Sequence, residues 1–212
     1  MERRLVLHGA AAAACATAAA PGRAQAVEEH MVNGFRRAKF GMKVAEVQAA
    51  IARDFPSATG VERIDNPAEK TTVLVLGVPV LEPGPGAARI NYVFGAASAR
   101  LMHISVVWQS GPAADTAERA RYAVAGSQLA AYMRAQPWGP KVSASPTPAG
   151  PNGLVLFAGV DSRGAGADVR VLGLATVAPN GQDGSAPSGP AQLRVAYYAN
   201  VAQPDIRMTA AL

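Results

Sequence analysis

The sequence is poor in the residues that carry most enzyme chemistry. Its 212 residues include one cysteine, Cys15, and three histidines, His8, His30 and His103. A single thiol forms no internal disulfide and no cysteine metal cluster. The histidines lie far apart in the sequence, and an isolated histidine in a strand is usually a packing or surface residue. We therefore predict no catalytic residues, no cofactor and no bound metal.

Several short motifs that carry chemistry are also absent. The chain has no G-x-S-x-G elbow, no S-x-x-K and no P-loop. Asp161, Asp168 and Asp183 lie near glycines, but their spacing does not match a calcium loop and indicates turns. Paired carboxylates can come from distant positions, so an unrecognised exported hydrolase stays open as a third hypothesis.

The charge of the chain is small and dispersed. It has 20 basic and 15 acidic residues, and the only local basic cluster is Arg36, Arg37 and Lys39. This distribution indicates no nucleic-acid partner. If the first helical region touches an envelope protein or lipid, Arg36 and Arg37 are the candidate contacts.

The N-terminus has the three parts of a cleavable signal peptide, residues 1–26. Glu2–Arg4 is charged, Leu5–Ala20 is apolar, and Ala24–Ala26 matches an A-x-A cleavage site. The apolar run is shorter than a membrane span, so we predict no transmembrane segment in the mature chain. Cleavage would leave 212 − 26 = 186 residues in a periplasmic or secreted protein.

Two refinements of this signal stay open. Arg3 and Arg4 followed by Leu5 are compatible with twin-arginine export as well as with the general secretory route. Ala12–Cys15 is a degenerate lipobox, and it would anchor the protein through a lipid on Cys15. Cleavage near Ala26 is the favoured interpretation.

The first half of the mature chain has the pattern of a helix followed by three strands. After a frayed lead-in, Val27–Gly34, the residues Val44, Val47, Ile51 and Phe55 share one helical face. Ser57–Lys70 is predicted to be a polar connection. The predicted strands are Thr71–Leu81, Arg89–Gly95 and Leu101–Gln109, and the last is expected to place Met102, Ile104, Val106 and Trp108 on one face, opposite His103.

The second half repeats this order of elements. Asp115 and Glu118 form a capping pair for a helix over Thr116–Ala135. Its predicted core stripe is Tyr122, Ala125, Leu129, Tyr132 and Met133. The three predicted strands are Leu154–Asp161, Asp168–Ala178 and Gln192–Val201, followed by a loose tail from Pro204.

This order predicts an α+β fold with helices packed on an antiparallel sheet. We predict a tandem of two αβββ units, residues 27–111 and 112–212, which could also form one continuous domain. The two tryptophans are candidate ligand or partner residues. Trp108 falls in a strand, and Trp138 falls in a loop rich in proline and glycine, where filling the core is favoured over exposure.

The start of the first helix resembles a known family. Phe40-Gly41-Met42, then Glu46-Val47 and Phe55, are similar to the opening of the SmpA/OmlA (BamE-like) outer-membrane assembly lipoproteins and the β-lactamase-inhibitor-protein fold group. The resemblance covers about residues 35–109. Lys43 stands where the family pattern has a capping Ser or Thr, and no cysteine near the mature N-terminus is available unless Cys15 serves.

The resemblance implies a binding or scaffolding module. The leading hypothesis is an exported envelope-associated binding or scaffold protein without catalytic motifs. The alternative is a small-ligand or lipid binder with a pocket between helix and sheet, near Trp138 or Trp108.

Overall fold

A computed structural model describes residues 28–58, 60–139, 141–143, 145–149, 152–174 and 189–207. The predicted signal peptide, Cys15, Asp183 and the end of the strand predicted to reach Ala178 lie outside these residues.

The described part of the chain contains two helices and eleven strands. In the first half these are β1 (Gly34–Phe35), β2 (Ala38–Lys39), α1 (Val44–Asp54), β3 (Val61–Asn66), β4 (Thr71–Val78), β5 (Ala88–Phe94) and β6 (Leu101–Gln109). In the second half they are α2 (Thr116–Arg134), β7 (Lys141–Val142), β8 (Thr147–Pro148), β9 (Gly153–Val160), β10 (Gly166–Leu172) and β11 (Gln192–Tyr198).

Nine of the strands form one antiparallel sheet. Its order is β3-β4-β5-β6-β11-β10-β9-β7, and β8 pairs with β9. The last long strand of each half, β6 and β11, are therefore neighbours near the centre of the sheet. Helices beside an antiparallel sheet confirm the predicted α+β class.

Both helices pack on the same face of this sheet. Val47, Ala50 and Ile51 of α1 join the core, and Gly126 of α2 approaches Leu193 of β11. Alternate residues of the central strands bury their side chains against the helices, which is the period of two expected for a sheet with one covered face. We call the other side of the sheet the helix-free face.

The helix starts follow the predicted chemistry. The Asp115 carboxylate accepts a hydrogen bond from the backbone N–H of Glu118 at 2.7 Å, which confirms the cap of α2. Lys43 has no acceptor for capping α1. Instead, the Glu46 carboxylate accepts from the backbone N–H of Lys43 at 2.7 Å.

The buried stripe of α2 differs from the predicted one. Tyr122, Ala125 and Met133 are buried as expected, but Tyr132 is 63 % exposed. Arg119, Gly126 and Ala130 are buried instead. The helix faces the sheet along a stripe of small residues, because the backbone at Gly126 lies too close to Val171 for a larger side chain.

The predicted polar connection Ser57–Lys70 is wrong in part, because it contains β3. This strand pairs with β4 at the edge of the sheet, and its four central residues are exposed. An edge strand of this kind has no apolar alternation, since neither of its faces is buried.

The lead-in before Gly34 is not frayed over its described residues. The backbone N–H of His30 donates to the Pro137 carbonyl at 2.9 Å. Val32 is buried, and its N–H donates to the Asp161 carboxylate at 2.9 Å. The first bond holds the lead-in to the loop after α2, and the second holds it to the β9–β10 hairpin, 129 residues away in the sequence.

None of the helices that the structure describes is both long and apolar enough to cross a membrane.

Candidate functional site

A cavity of about 600 Å³ lies on the helix-free face, between the sheet and the C-terminal segment 199–206. Its floor comes from four neighbouring strands through Thr71, Val73, Val93, Met102, His103 and Tyr198. Asn66, Glu69 and Ser98 line it from the turns at the same end of the sheet. The volume falls in the range of small-ligand sites, about 300–1,000 Å³.

A bulge in β6 shapes the floor of the cavity. Val93 of β5 pairs with His103, but the next residue, Phe94, pairs with Leu101. Met102 is the extra residue in β6, and it lines the cavity together with His103. The prediction that Met102 lies on the face opposite His103 is therefore wrong; Leu101 takes the core position.

The C-terminal segment is bound to the sheet, so the predicted loose tail is wrong for residues 204–207. The Asp205 carboxylate accepts the backbone N–H groups of Ala97 and Ser98, each at 2.9 Å. The backbone N–H of Arg207 donates to the Glu69 carbonyl at 3.1 Å. Hydrogen bonds from Ser98 and Ala97 lower the pKa of Asp205, so the carboxylate is charged at neutral pH.

Two polar side chains of the cavity lack partners. Thr71 is 2 % exposed, and its hydroxyl makes no hydrogen bond to the described residues. The Nε2 atom of His103 is likewise buried without a partner among them. Buried polar groups are nearly always hydrogen-bonded, so each such group needs an explanation.

The environment of His103 keeps its imidazole neutral. Burial and the nearby Arg194 guanidinium lower the pKa of His103 to about 4, although Asp168 opposes the shift. The ring stacks on Tyr198 with centroids 4.7 Å apart. A neutral imidazole has one donor nitrogen and one acceptor nitrogen, so it suits hydrogen bonding rather than charge pairing.

A charged cluster adjoins the cavity on the same face. The buried Asp168 carboxylate accepts from Arg170 Nε at 3.0 Å and from the Tyr198 hydroxyl at 2.7 Å. Arg194 donates to the Tyr198 hydroxyl at 2.9 Å, but its own Nε is buried without a partner among the described residues. Burial and the Asp168 charge raise the pKa of Tyr198 to about 12, so Tyr198 stays a hydrogen-bond donor.

The predicted contacts Arg36 and Arg37 lie together at the β1–β2 turn. Arg37 pairs with Asp54 at 2.6 Å, and the Arg36 guanidinium lies 4.6 Å from the centre of the Phe55 ring. Both side chains remain accessible, but they also fasten the turn to the end of α1.

The two tryptophans do not come together with these arginines. Trp108 is only 3 % exposed, and its indole N–H donates to the Leu81 carbonyl at 2.8 Å, so it is a core residue. Trp138 is partly buried between His30 and Phe157, with ring centroids 4.6 and 5.2 Å away. Its indole N–H donates to the Met133 carbonyl at 2.6 Å, as expected of a core plug.

Sequence reasoning missed most of the cavity. The sequence predicts only that Thr71 and Val93 lie in strands, that Glu69 lies in a polar connection and that Asp205 lies in the C-terminal tail. His103 is predicted from the sequence to be a packing or surface residue. One signal in the sequence points to His103: it is a polar residue in a central strand, on the face opposite the apolar core residues.

The site offers hydrogen bonds, an apolar floor and two acidic groups. Among the described residues, no three His, Cys, Asp or Glu side chains come together as metal ligands. Comparisons of the chain with protein-family models, with curated proteins and with solved structures return no match.

Proposed function

We propose that the protein is an exported binding protein that holds a small ligand in the cavity on the helix-free face. One observation carries the proposal: Thr71 and His103 both line the cavity, and each has a buried polar atom without a hydrogen-bond partner among the described residues. A ligand that hydrogen-bonds to them would remove the cost of burying these groups, about 1–3 kcal/mol each. The sequence analysis expects a ligand pocket between helix and sheet, whereas the proposed cavity lies on the helix-free face.

Export is part of the proposal and rests on the N-terminal pattern. Residues 1–26 combine a charged start, an apolar run and an A-x-A site, which together direct a chain to the periplasm or outside the cell. We propose a binding role without catalysis: Ser98 and Asp205, a hydroxyl and a carboxylate that meet in the cavity, hydrogen-bond to each other, and Asp205 also accepts the two backbone N–H groups that fasten the C-terminal segment.

The proposal includes an origin from two αβββ units, residues 27–111 and 112–212, related to the SmpA/OmlA (BamE-like) and β-lactamase-inhibitor-protein fold group. The three strands of the units would be β4–β6 and β9–β11, with the edge strand β3 as an addition to the first unit. The pairing of β6 with β11 in the middle of the sheet supports this origin, because the last strand of one unit would then pair with the last strand of the other. The motif from Phe40 to Phe55 at α1 supports the family assignment.

The test compares two valines of the helix-free face that lie in neighbouring strands. Val93 lines the cavity, whereas Val107 lies further along the same face and outside it. Val93→Trp would place a large ring in the floor. Small molecules that stay bound through purification from the native host, measured by mass spectrometry, should be lost from this variant and kept by Val107→Trp. Equal retention by both variants would refute the proposal.

A second candidate function is a scaffold that engages an acidic envelope protein. It is favoured by Arg89 on β5, Arg194 on β11 and Arg170 on β10, which lie on the same face of the sheet. Among the described residues, Asp168 pairs with Arg170 and Arg194, and Arg89 has no ion pair. Capture of an envelope partner should fall for Arg89→Glu and persist for Arg121→Glu, an exposed arginine on α2. Equal capture by both variants would exclude this surface.

A further inference from the structure

We infer that the cavity takes an elongated cationic amphiphile: an ammonium group near Glu69, an apolar middle over Val73 and Val93, and a hydrogen-bonding group at His103. The inference rests on the proposed function and specifies the ligand class for the same cavity. Its three parts follow from the charge, the surface and the length of the cavity.

The charge of the lining is acidic. Glu69 and Asp205 both line the cavity, and no lysine or arginine is among the described residues that do. Asp205 already accepts two backbone N–H groups, and the Arg207 charge offsets part of its own. Glu69 forms no ion pair with the described residues. Glu69 is therefore the anchor for a positive group, and an anionic ligand would be repelled.

The floor between the polar groups is apolar. Val73, Val93 and His103 follow one another across β4, β5 and β6 on the helix-free face. Met102 lies beside His103 because of the bulge, and Pro204 and Ile206 line the cavity from the C-terminal segment. A hydrocarbon chain laid across these side chains would lose contact with water at both surfaces.

The two unpartnered groups are too far apart for one small head group. Thr71 lies on β4 beside the turn that carries Glu69, and His103 lies on β6, two strands away. Two strand spacings amount to roughly 10 Å. The ligand therefore needs polar groups at both ends. Contact with either buried atom requires the side chains that cover it to shift; the ammonium end can then donate to the Thr71 hydroxyl as well as to Glu69, and the other end can pair with His103 Nε2.

Four probes of equal chain length separate charge from shape. These are 8-amino-1-octanol, 1,8-diaminooctane, 1,8-octanediol and octanedioate, titrated calorimetrically into the full mature protein at pH 7. We expect the two amines to bind at least tenfold more tightly than the diol, and octanedioate to bind most weakly.

Two variants test the roles of the named residues. Glu69→Gln should abolish the preference for the amine over the diol while leaving diol binding unchanged. Glu62→Gln, an exposed glutamate on β3 outside the cavity, is the control and should keep the preference. His103→Leu should make 8-amino-1-octanol bind no better than 1-octylamine, which lacks the second polar group.

The outcomes separate this inference from the proposed function. Octanedioate binding as tightly as the amines would overturn the inference and leave a ligand cavity standing. A second result would also overturn the inference and leave the cavity standing: none of the four probes binds, but Val93→Trp still loses the small molecules that the wild type retains through purification. Failure of the probes together with equal retention by Val93→Trp and Val107→Trp would refute both.

Discussion

Replacing Asp161 by asparagine should destabilise the protein strongly. The Asp161 side chain is 0 % exposed, and its carboxylate accepts the N–H groups of Val32 and Arg163 at 2.9 Å and of Ala165 at 3.1 Å. It also accepts from the Arg163 guanidinium at 3.1 Å. Asparagine keeps one acceptor oxygen and turns an NH₂ group toward the remaining donors.

The size of the effect follows from the groups left unpartnered. The Val32 and Ala165 donors are buried, and a buried donor without a partner costs about 1–3 kcal/mol. With the lost charge on the Arg163 contacts, we expect Asp161→Asn to lower the free energy of unfolding by about 2–4 kcal/mol in urea titrations at pH 7. Asp65→Asn is the control. Asp65 is 68 % exposed beside Arg63, so we expect no measurable change.

The pH dependence of the same difference gives a second check. Burial alone would raise the pKa of Asp161, but hydrogen bonds from Val32, Arg163 and Ala165 outweigh it and lower the pKa. A lowered pKa in the folded state means that the carboxylate stabilises the protein above the unfolded pKa, about 3.9. That contribution disappears as pH falls through the folded value. The difference in free energy of unfolding between the wild type and Asp161→Asn should therefore be constant near neutral pH and should decrease in acid. A difference in free energy of unfolding that increases in acid, or that is absent at pH 7, would contradict this account.

Three further predictions concern the core, the C-terminal segment and the N-terminus. Gly84→Ala should lower the free energy of unfolding by about 1–3 kcal/mol in urea, because its Cβ would enter the indole of Trp108; Gly77→Ala, with open space around the Cβ, should not. Asp205→Asn should speed hydrogen exchange of the two backbone amides it accepts from, and unchanged exchange would exclude its role as a fastener. N-terminal sequencing of the protein purified from its native host should give Val27 as the first residue, and a chain that starts at Met1 would contradict cleavage.

The central elements of the fold could be predicted from the sequence. The strand predicted over Leu101–Gln109 has those bounds in the structure, and α2 begins at the predicted Thr116. Helix α1 begins at Val44, the first residue of its predicted apolar stripe. Because each of these segments buries one face against a shared core, the spacing of its apolar residues predicts whether it is a helix or a strand. The Asp115 cap defines the start of α2, and α1 ends at Asp54, two residues before Pro56, which cannot continue a helix.

The cavity could not be predicted, because its residues are brought together by pairing between strands. Glu69, His103 and Asp205 come from a turn, a strand and a tail that share no local pattern. The bulge at Met102 breaks the alternation that sequence reasoning relied on. The edge strand β3 was missed for a related reason, since an exposed edge buries no apolar face.

The most direct test of the account is an amide NMR comparison of the protein as purified from its native host with the same protein unfolded, freed of small molecules and refolded. We predict shift changes concentrated at Thr71, Val93, His103 and Ala199, which surround the cavity. Restoring the removed small molecules should reverse the changes. Identical spectra, or changes confined to the helices on the opposite face, would contradict a ligand site on the helix-free face.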